Sequence, residues 1–147
     1  MRYAIPFLLL GVIAAPVLAA DACSLTIEAD DAMKFSTDAM SVPASCQEVT
    51  VTLKHVGKLP VTAMGHNWVL AATADLQGVA TDGMSAGAAS GYLKEGDPRV
   101  IAHTQLIGGG ESSSVTFPAK DLAGKDLSFF CSFPGHWAIM KGSFKLG

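Results

Sequence analysis

The stretch Phe129-Phe130-Cys131-Ser132-Phe133-Pro134-Gly135-His136-Trp137-Ala138-Ile139-Met140 decides how this chain is read. An apolar run delivers Cys131, Pro134-Gly135 breaks it, and a second run starts at Met140. That is the pattern of a strand, a turn and a returning strand. Side chains two residues apart on a strand share a face. Cys131 therefore shares one with Leu127 and Phe129, and Met140 with Phe144 and Leu146. Both sulfurs are expected to point into the apolar interior, at one end of the fold.

Outward from this stretch, most of the chain reads as short strands. Leu25, Ile27 and Ala29 alternate with polar residues, and Val49, Val51 and Leu53 alternate with Thr50 and Thr52. Further strands are expected over residues 66–71, 100–107, 113–117, 127–131 and 140–146. Turn-rich stretches such as Val56-Gly57-Lys58-Leu59-Pro60 and Gly108-Gly109-Gly110 separate them. The pattern predicts an all-β fold, a Greek-key β-sandwich or barrel. Thr73 to Gly91 is the exception. Leu76, Val79 and Ala80 recur at helical spacing behind Thr73, a candidate cap, while Gly78 and Gly83 each cost a helix about 1 kcal/mol. One short, imperfect helix outside the sheets is expected there, with an irregular loop as the alternative. There is no internal repeat and no low-complexity linker.

The chain has 147 residues, enough for one domain with its own core. Residues 3–20 carry no charge, and Arg2 stands just before them. The apolar run over 5–15 is shorter than the roughly 20 residues of a spanning helix, and it ends in Pro16-Val17-Leu18-Ala19-Ala20. A short apolar run followed by a small-x-small site is a secretory signal. Residues 1–19 are expected to be removed, to within one residue, leaving a single domain over 20–147 in the periplasm, without stable membrane insertion. Loss of Arg2 takes the formal net charge from −3 to −4, and no basic stripe remains to favour nucleic acid. Disulfides persist outside the cytoplasm, and three cysteines, Cys23, Cys46 and Cys131, leave one thiol unpaired.

A thiolate, imidazoles and a thioether together suit copper. Two histidines and a cysteine in a plane, with a distant methionine, are the donor set of a blue-copper electron-transfer centre. The quoted stretch supplies Cys131, His136 and Met140. The second imidazole comes from His55, His66 or His103. His66 shares strand parity with Trp68 and Leu70, and Gly65 before it would let a backbone carbonyl approach a metal opposite Met140. Both points favour His66 and leave the other two open.

Met64-Gly65-His66-Asn67-Trp68, and Cys131-Ser132-Phe133-Pro134-Gly135-His136 followed by Met140, resemble the two copper-binding segments of azurins, members of the cupredoxin family. Four residues between cysteine and histidine and three before methionine match azurins, whereas plastocyanin-like relatives have a shorter first gap. The resemblance spans nearly the whole chain after the signal, including Cys23 and the interrupted helical segment. It implies a cupredoxin-like, plastocyanin-type domain with one copper ion held by His66, Cys131, His136, axial Met140 and the Gly65 carbonyl. Asn67 and Ser132 match positions where an amide pins the ligand loop. The implied activity is single-electron transfer by Cu(II)/Cu(I) cycling, with c-type cytochromes or a terminal reductase as partners. Met33, Met64, Phe133, Pro134, Ala138 and Ile139 match an apolar patch around the carboxy-terminal histidine, and Trp137 is the less usual residue there. His55 matches a half-buried histidine near the site. Cys23 and Cys46 are expected to form a structural disulfide, as befits an exported chain. The chain is expected to be a monomer and not an enzyme, since these ligands leave no open position for substrate.

Overall fold

The computed structural model describes residues 22–147; the expected signal, 1–19, lies outside the described residues. In chain order the elements are β1 (Ser24–Ala29), β2 (Ala39–Val42), β3 (Glu48–His55), α1 (Val61–Met64), β4 (Val69–Ala72), α2 (Leu76–Ala86), β5 (Val100–His103), β6 (Ser112–Pro118), β7 (Leu127–Phe130) and β8 (Lys141–Leu146). They build two packed sheets. One is ordered β1-β3-β6, with β1 and β3 parallel. The other is ordered β2-β8-β7-β4-β5, with parallel pairing only between β2 and β8. This is the expected all-β sandwich, with α2 as the helical insertion outside the sheets.

Strand periodicity explains the layers. In β3, Val49, Val51 and Leu53 are buried, while Thr50 and Thr52 bond across to Thr116 and Ser114 on the open face. β4 and β7 bury both faces: Leu70 and Phe129 enter the core between the sheets, whereas Val69, Ala71 and Phe130 pack beneath α2. A strand covered on both sides reads as a continuous apolar run, and Val69-Leu70-Ala71 and Phe129-Phe130 do. At the centre Trp68 is fully buried against Phe117, Phe129 and Phe144, with ring centroids 6.0, 6.2 and 6.1 Å away. Its indole N–H has no partner among the described residues. Burying that ring contributes about 5 kcal/mol at 25 cal/mol per Å², against about 1–3 kcal/mol for an unmet donor. Apolar packing wins there.

Several expected boundaries shift for identifiable reasons. The strand expected over 100–107 ends at His103, because the Thr104 hydroxyl accepts the Trp68 N–H at 2.9 Å in place of a ladder carbonyl. Pairing resumes at an isolated His66–Ile107 bridge. β2 and α1 were not expected at all. Thr73 does not cap α2: its hydroxyl donates to Asp126 and meets Ser128, and a 3-10 turn over Thr73–Asp75 precedes the helix. Leu76, Val79, Ala80 and Gly83 form the buried stripe of α2. The Cys23–Cys46 disulfide forms as expected, with Cα atoms 5.7 Å apart. Closing a loop of that length contributes roughly 3 kcal/mol in the chain-entropy account.

α2 is clamped to the segment before β5 by Arg99. Its guanidinium donates to Asp97 at 2.7 and 2.9 Å and to Asp82 at 2.6 Å. The Arg99 hydrogen bonds hold the Asp97 carboxyl down at about 2, below about 3.9 in an unfolded chain. A carboxyl depressed in the native state stabilises it in full above the unfolded value, and that contribution is lost as pH falls through about 2. Asp97→Asn should lower stability in urea at neutral pH, and the gap from the natural chain should close between about pH 5 and pH 2. Parallel stability curves over that range would show that the pair contributes nothing.

Candidate metal centre

His66, Cys131 and His136 converge at one end of the sandwich, their donor atoms all within 4.8 Å of one another. Cys131 follows directly on β7, and its Sγ lies 3.8 Å from His66 Nδ1 and 3.6 Å from His136 Nδ1. A first-row ion bonded at about 2.3 Å to sulfur and about 2.0 Å to nitrogen, in a trigonal plane, spaces those atoms by about 3.7 Å. The pocket fits such an ion. One soft thiolate with two imidazoles favours copper among the candidates. The Gly65 carbonyl oxygen is 3.9 Å from the same sulfur. A Cβ on Gly65 would stand 2.6 Å from the Val61 carbonyl and 3.0 Å from the Phe133 ring, so only glycine fits there.

Burial sets the protonation of all three ligands. Cys131 and His66 have no exposed surface, and His136 keeps 3 %. Desolvation pushes the Cys131 thiol up to about 12 and, with repulsion from His66, brings His136 down to about 4. His66 is lowered as well, again mainly by burial. The imidazoles are thus neutral with a lone pair to offer, whereas the thiol releases its proton to solvent only as a metal takes its place.

Backbone and amide groups fix each ligand. His66 Nε2 donates to the Asp30 carbonyl at 2.8 Å, which leaves Nδ1 free for the metal. Asn67 binds the two ligand segments together. Its Oδ1 accepts the Ser132 N–H at 2.8 Å, and its Nδ2 donates to Ser132 Oγ at 2.8 Å and to the Gly91 carbonyl at 3.1 Å. Ser132 Oγ in turn donates to Gly91 O at 3.1 Å. Met140 is buried in the same core cluster as Cys131; its N–H donates to His136 O at 2.8 Å, and its carbonyl accepts the Cys131 N–H at 3.0 Å.

The remaining histidines lie outside the cluster. His55 accepts the Gly57 N–H at Nδ1, donates from Nε2 to Met64 O at 2.8 Å, and stacks on His66 with centroids 4.5 Å apart. His103 is exposed on β5. Pro134, Ala138 and Ile139 are exposed, Ile139 at 64 %, while Met33, Met64 and Phe133 are half-buried. Sequence reasoning missed the carbonyls of Asp30 and Gly91, which carry no side-chain signal, and Val61, exposed on α1 just before the ligand segment. It also missed Tyr92, whose ring stands edge-on to Phe133.

A buried thiol between two imidazoles, at the end of a two-sheet Greek-key sandwich, defines a mononuclear copper protein of the cupredoxin class. The family described as copper binding proteins, plastocyanin/azurin family, matches residues 21–147. The azurin of Achromobacter denitrificans is 61 % identical over 132 residues, 89 % of this chain and 88 % of that protein. The azurin of Bordetella pertussis is 58 % identical over 139 residues, 94 % and 92 % of the two chains. The solved structure of an azurin from Methylomonas sp. strain J superposes with a TM-score of 0.82 at 48 % identity, covering 85 % of this chain and 98 % of that one. The chain belongs to the plastocyanin/azurin family: it is a blue-copper electron carrier, not an enzyme, and takes one copper through the His66, Cys131 and His136 cluster. Such a carrier works between redox partners.

Cys131→Ser replaces the soft donor with a hard hydroxyl. The intense visible absorption of thiolate-to-copper charge transfer should vanish from the copper-treated variant, as read by optical spectroscopy. A variant that stays blue removes Cys131 from the site.

Proposed function

We propose that this chain carries single electrons in the periplasm between a c-type cytochrome and a terminal reductase, as a monomer exported by the signal at residues 1–19. Met140 would supply the weak axial thioether to a bound copper and the Gly65 carbonyl a second weak donor. Asn67 and Ser132 pin the ligand loop, and the apolar surface around His136 docks the partners. The observation that carries this reading is the closure of the site. With Cys131 and His66 sealed and His136 at 3 %, an electron can reach the centre, but a substrate needing an open coordination position cannot.

Copper bound there supplies a one-electron couple, Cu(II)/Cu(I). The protein's part is to hold the donors in one arrangement for both oxidation states. His66 is held by Asp30 O, Cys131 by Met140 O, and the loop between Cys131 and His136 by Asn67. Little then has to move as charge arrives. Support for an axial Met140 comes from its burial beside Cys131 and its two backbone bonds to the ligand loop. No helix among the described residues is long and apolar enough to cross a membrane.

The docking face follows from exposure. Ile139, Ala138 and Pro134 flank His136 in sequence, and Phe133 lies against its ring with centroids 4.5 Å apart. An apolar patch of a few hundred Å² on a protein surface usually marks an interaction site. Redox encounters typically bury less than about 1,200 Å², which lets the partner leave again.

Met140→Leu should retain copper and raise its reduction potential, because losing even a weak thioether donor favours the reduced ion. An unchanged potential in cyclic voltammetry removes Met140 from the axial position. Met64→Lys and Ala138→Glu place a charge in the patch. Each should slow electron self-exchange and transfer to a cytochrome c by roughly tenfold, the effect of a 1.4 kcal/mol penalty on encounter, with the visible spectrum nearly unchanged. Unaltered rates in both variants would sink the docking assignment.

A further inference from the structure

Two non-glycine residues among those described adopt a left-handed backbone, Met33 with φ 59° and Tyr92 with φ 55°. Such a conformation is unfavourable for a bulky side chain and persists only where the surroundings enforce it. Each lies in a loop that lends a carbonyl to the metal-holding residues. Asp30 O, three positions before Met33, accepts from His66, and Gly91 O, immediately before Tyr92, accepts from both Asn67 and Ser132.

At Tyr92 the enforcing contacts run in two directions. Toward the metal, its ring meets Phe133 edge-on at 5.3 Å and 71°, and Phe133 lies against His136 at 4.5 Å and 31°. Away from the metal, the Tyr92 carbonyl presses so closely on Gly83 of α2 that any Cβ there would collide with it. Tyr92 N–H donates to Gly87 O at 3.0 Å, and Leu93 is buried under α2 with Val79 and Ala80. α2 is fixed in turn by Arg99, whose Nη1 lies 2.7 Å from where a Cβ on Gly78 would stand.

We propose that Tyr92 is a positioning residue for the copper centre, its backbone locked to α2 and its ring bracing Phe133 and, through it, His136. The helical insertion is then part of the frame of the metal site as well as a cover for the sheet. This rests on the blue-copper reading of the cluster. With the brace removed, the ligand loop relaxes toward the flatter arrangement that Cu(II) prefers, and the oxidised ion gains stability over the reduced one.

Three variants and a control test the brace. Tyr92→Phe keeps the ring and should reproduce the natural spectrum and potential. Tyr92→Gly relieves the backbone and removes the ring. Its copper-loaded form should stay blue, with altered copper hyperfine splitting and a redox equilibrium shifted toward Cu(II) by up to tenfold, about 59 mV lower in potential. In its metal-free form the amides of Ser132 and His136 should exchange about tenfold faster. Gly83→Ala displaces the Tyr92 carbonyl while leaving every aromatic side chain in the sequence and should give the same changes, so the idea survives a failure of either variant to fold. Val115→Ala, in β6 far along the chain from the ligands, should lower stability and leave potential and hyperfine splitting in place. The proposal is overturned if Tyr92→Gly and Gly83→Ala match Tyr92→Phe in potential, splitting and amide exchange. Loss of the blue band from the natural chain would instead overturn the copper reading, and the amide exchange of the metal-free protein still judges the brace.

Discussion

The metal end of this molecule depends on one side chain, Asn67, which joins two segments 65 residues apart in sequence. Its three bonds to Ser132 and Gly91 use both amide protons and the carbonyl oxygen, and the Ser132 hydroxyl closes the ring onto the same Gly91 carbonyl. A buried polar network is stabilising only when every member is satisfied; half-made, it costs more than an apolar filling. This network is complete, so it holds one arrangement and resists others. That matters because the ligands it aligns have no reason of their own to stay together before a metal arrives: two neutral imidazoles and a protonated thiol attract one another only weakly.

The sandwich brings the supporting groups to the same end by running β1 and β3 side by side in the same direction. The Cys23–Cys46 disulfide joins them near their starting ends. Six residues of β1 at about 3.3 Å each then carry the chain roughly 20 Å to Asp30, whose carbonyl holds His66. β3 ends at His55, stacked on His66 and bonded to Met64 O. A parallel pair thus places the covalent brace at one end and two supports for a metal ligand at the other. It also keeps the buried Cys131 thiol far from a disulfide with which it could exchange.

Parity made the inward sulfurs legible from the sequence. Cys131 and Met140 share parity with large apolar residues and join the same core cluster as Leu127, Phe129 and Phe144, whereas Phe130, of the opposite parity, packs beneath α2; His66, Cys131 and Met140 all lie just outside their strands. Parity and the preceding Gly65 favoured His66 over His55 and His103 without deciding among them; the contact of its ring with Cys131 does. β2 escaped notice because it has four residues and just two buried side chains, Met40 and Val42, too few for alternation to stand out. The carbonyls of Asp30 and Gly91 could not be seen, since every residue carries a carbonyl and its direction depends on the surrounding fold. The left-handed turn at Tyr92 was hidden for a similar reason: the residue that signals it, Gly83, lies in a helix where glycine reads as a defect.

The contact at Gly83 makes α2 more than a cover for the sheet. Gly78 and Gly83 weaken a helix that has no side-chain cap at its start, so its local propensity is poor. Each glycine is nevertheless occupied from outside, Gly78 by the Arg99 guanidinium and Gly83 by the Tyr92 carbonyl. Alanine at Gly83 would raise propensity by roughly 1 kcal/mol and collide with the Tyr92 backbone that ties the helix to the rest of the protein, whereas at Gly78 the end of the Arg99 side chain can shift aside. Since the same contacts lead through Gly91 and Tyr92 to Ser132 and Phe133, helix stability has been exchanged for alignment of the ligand loop. A stronger isolated helix would make a looser copper site.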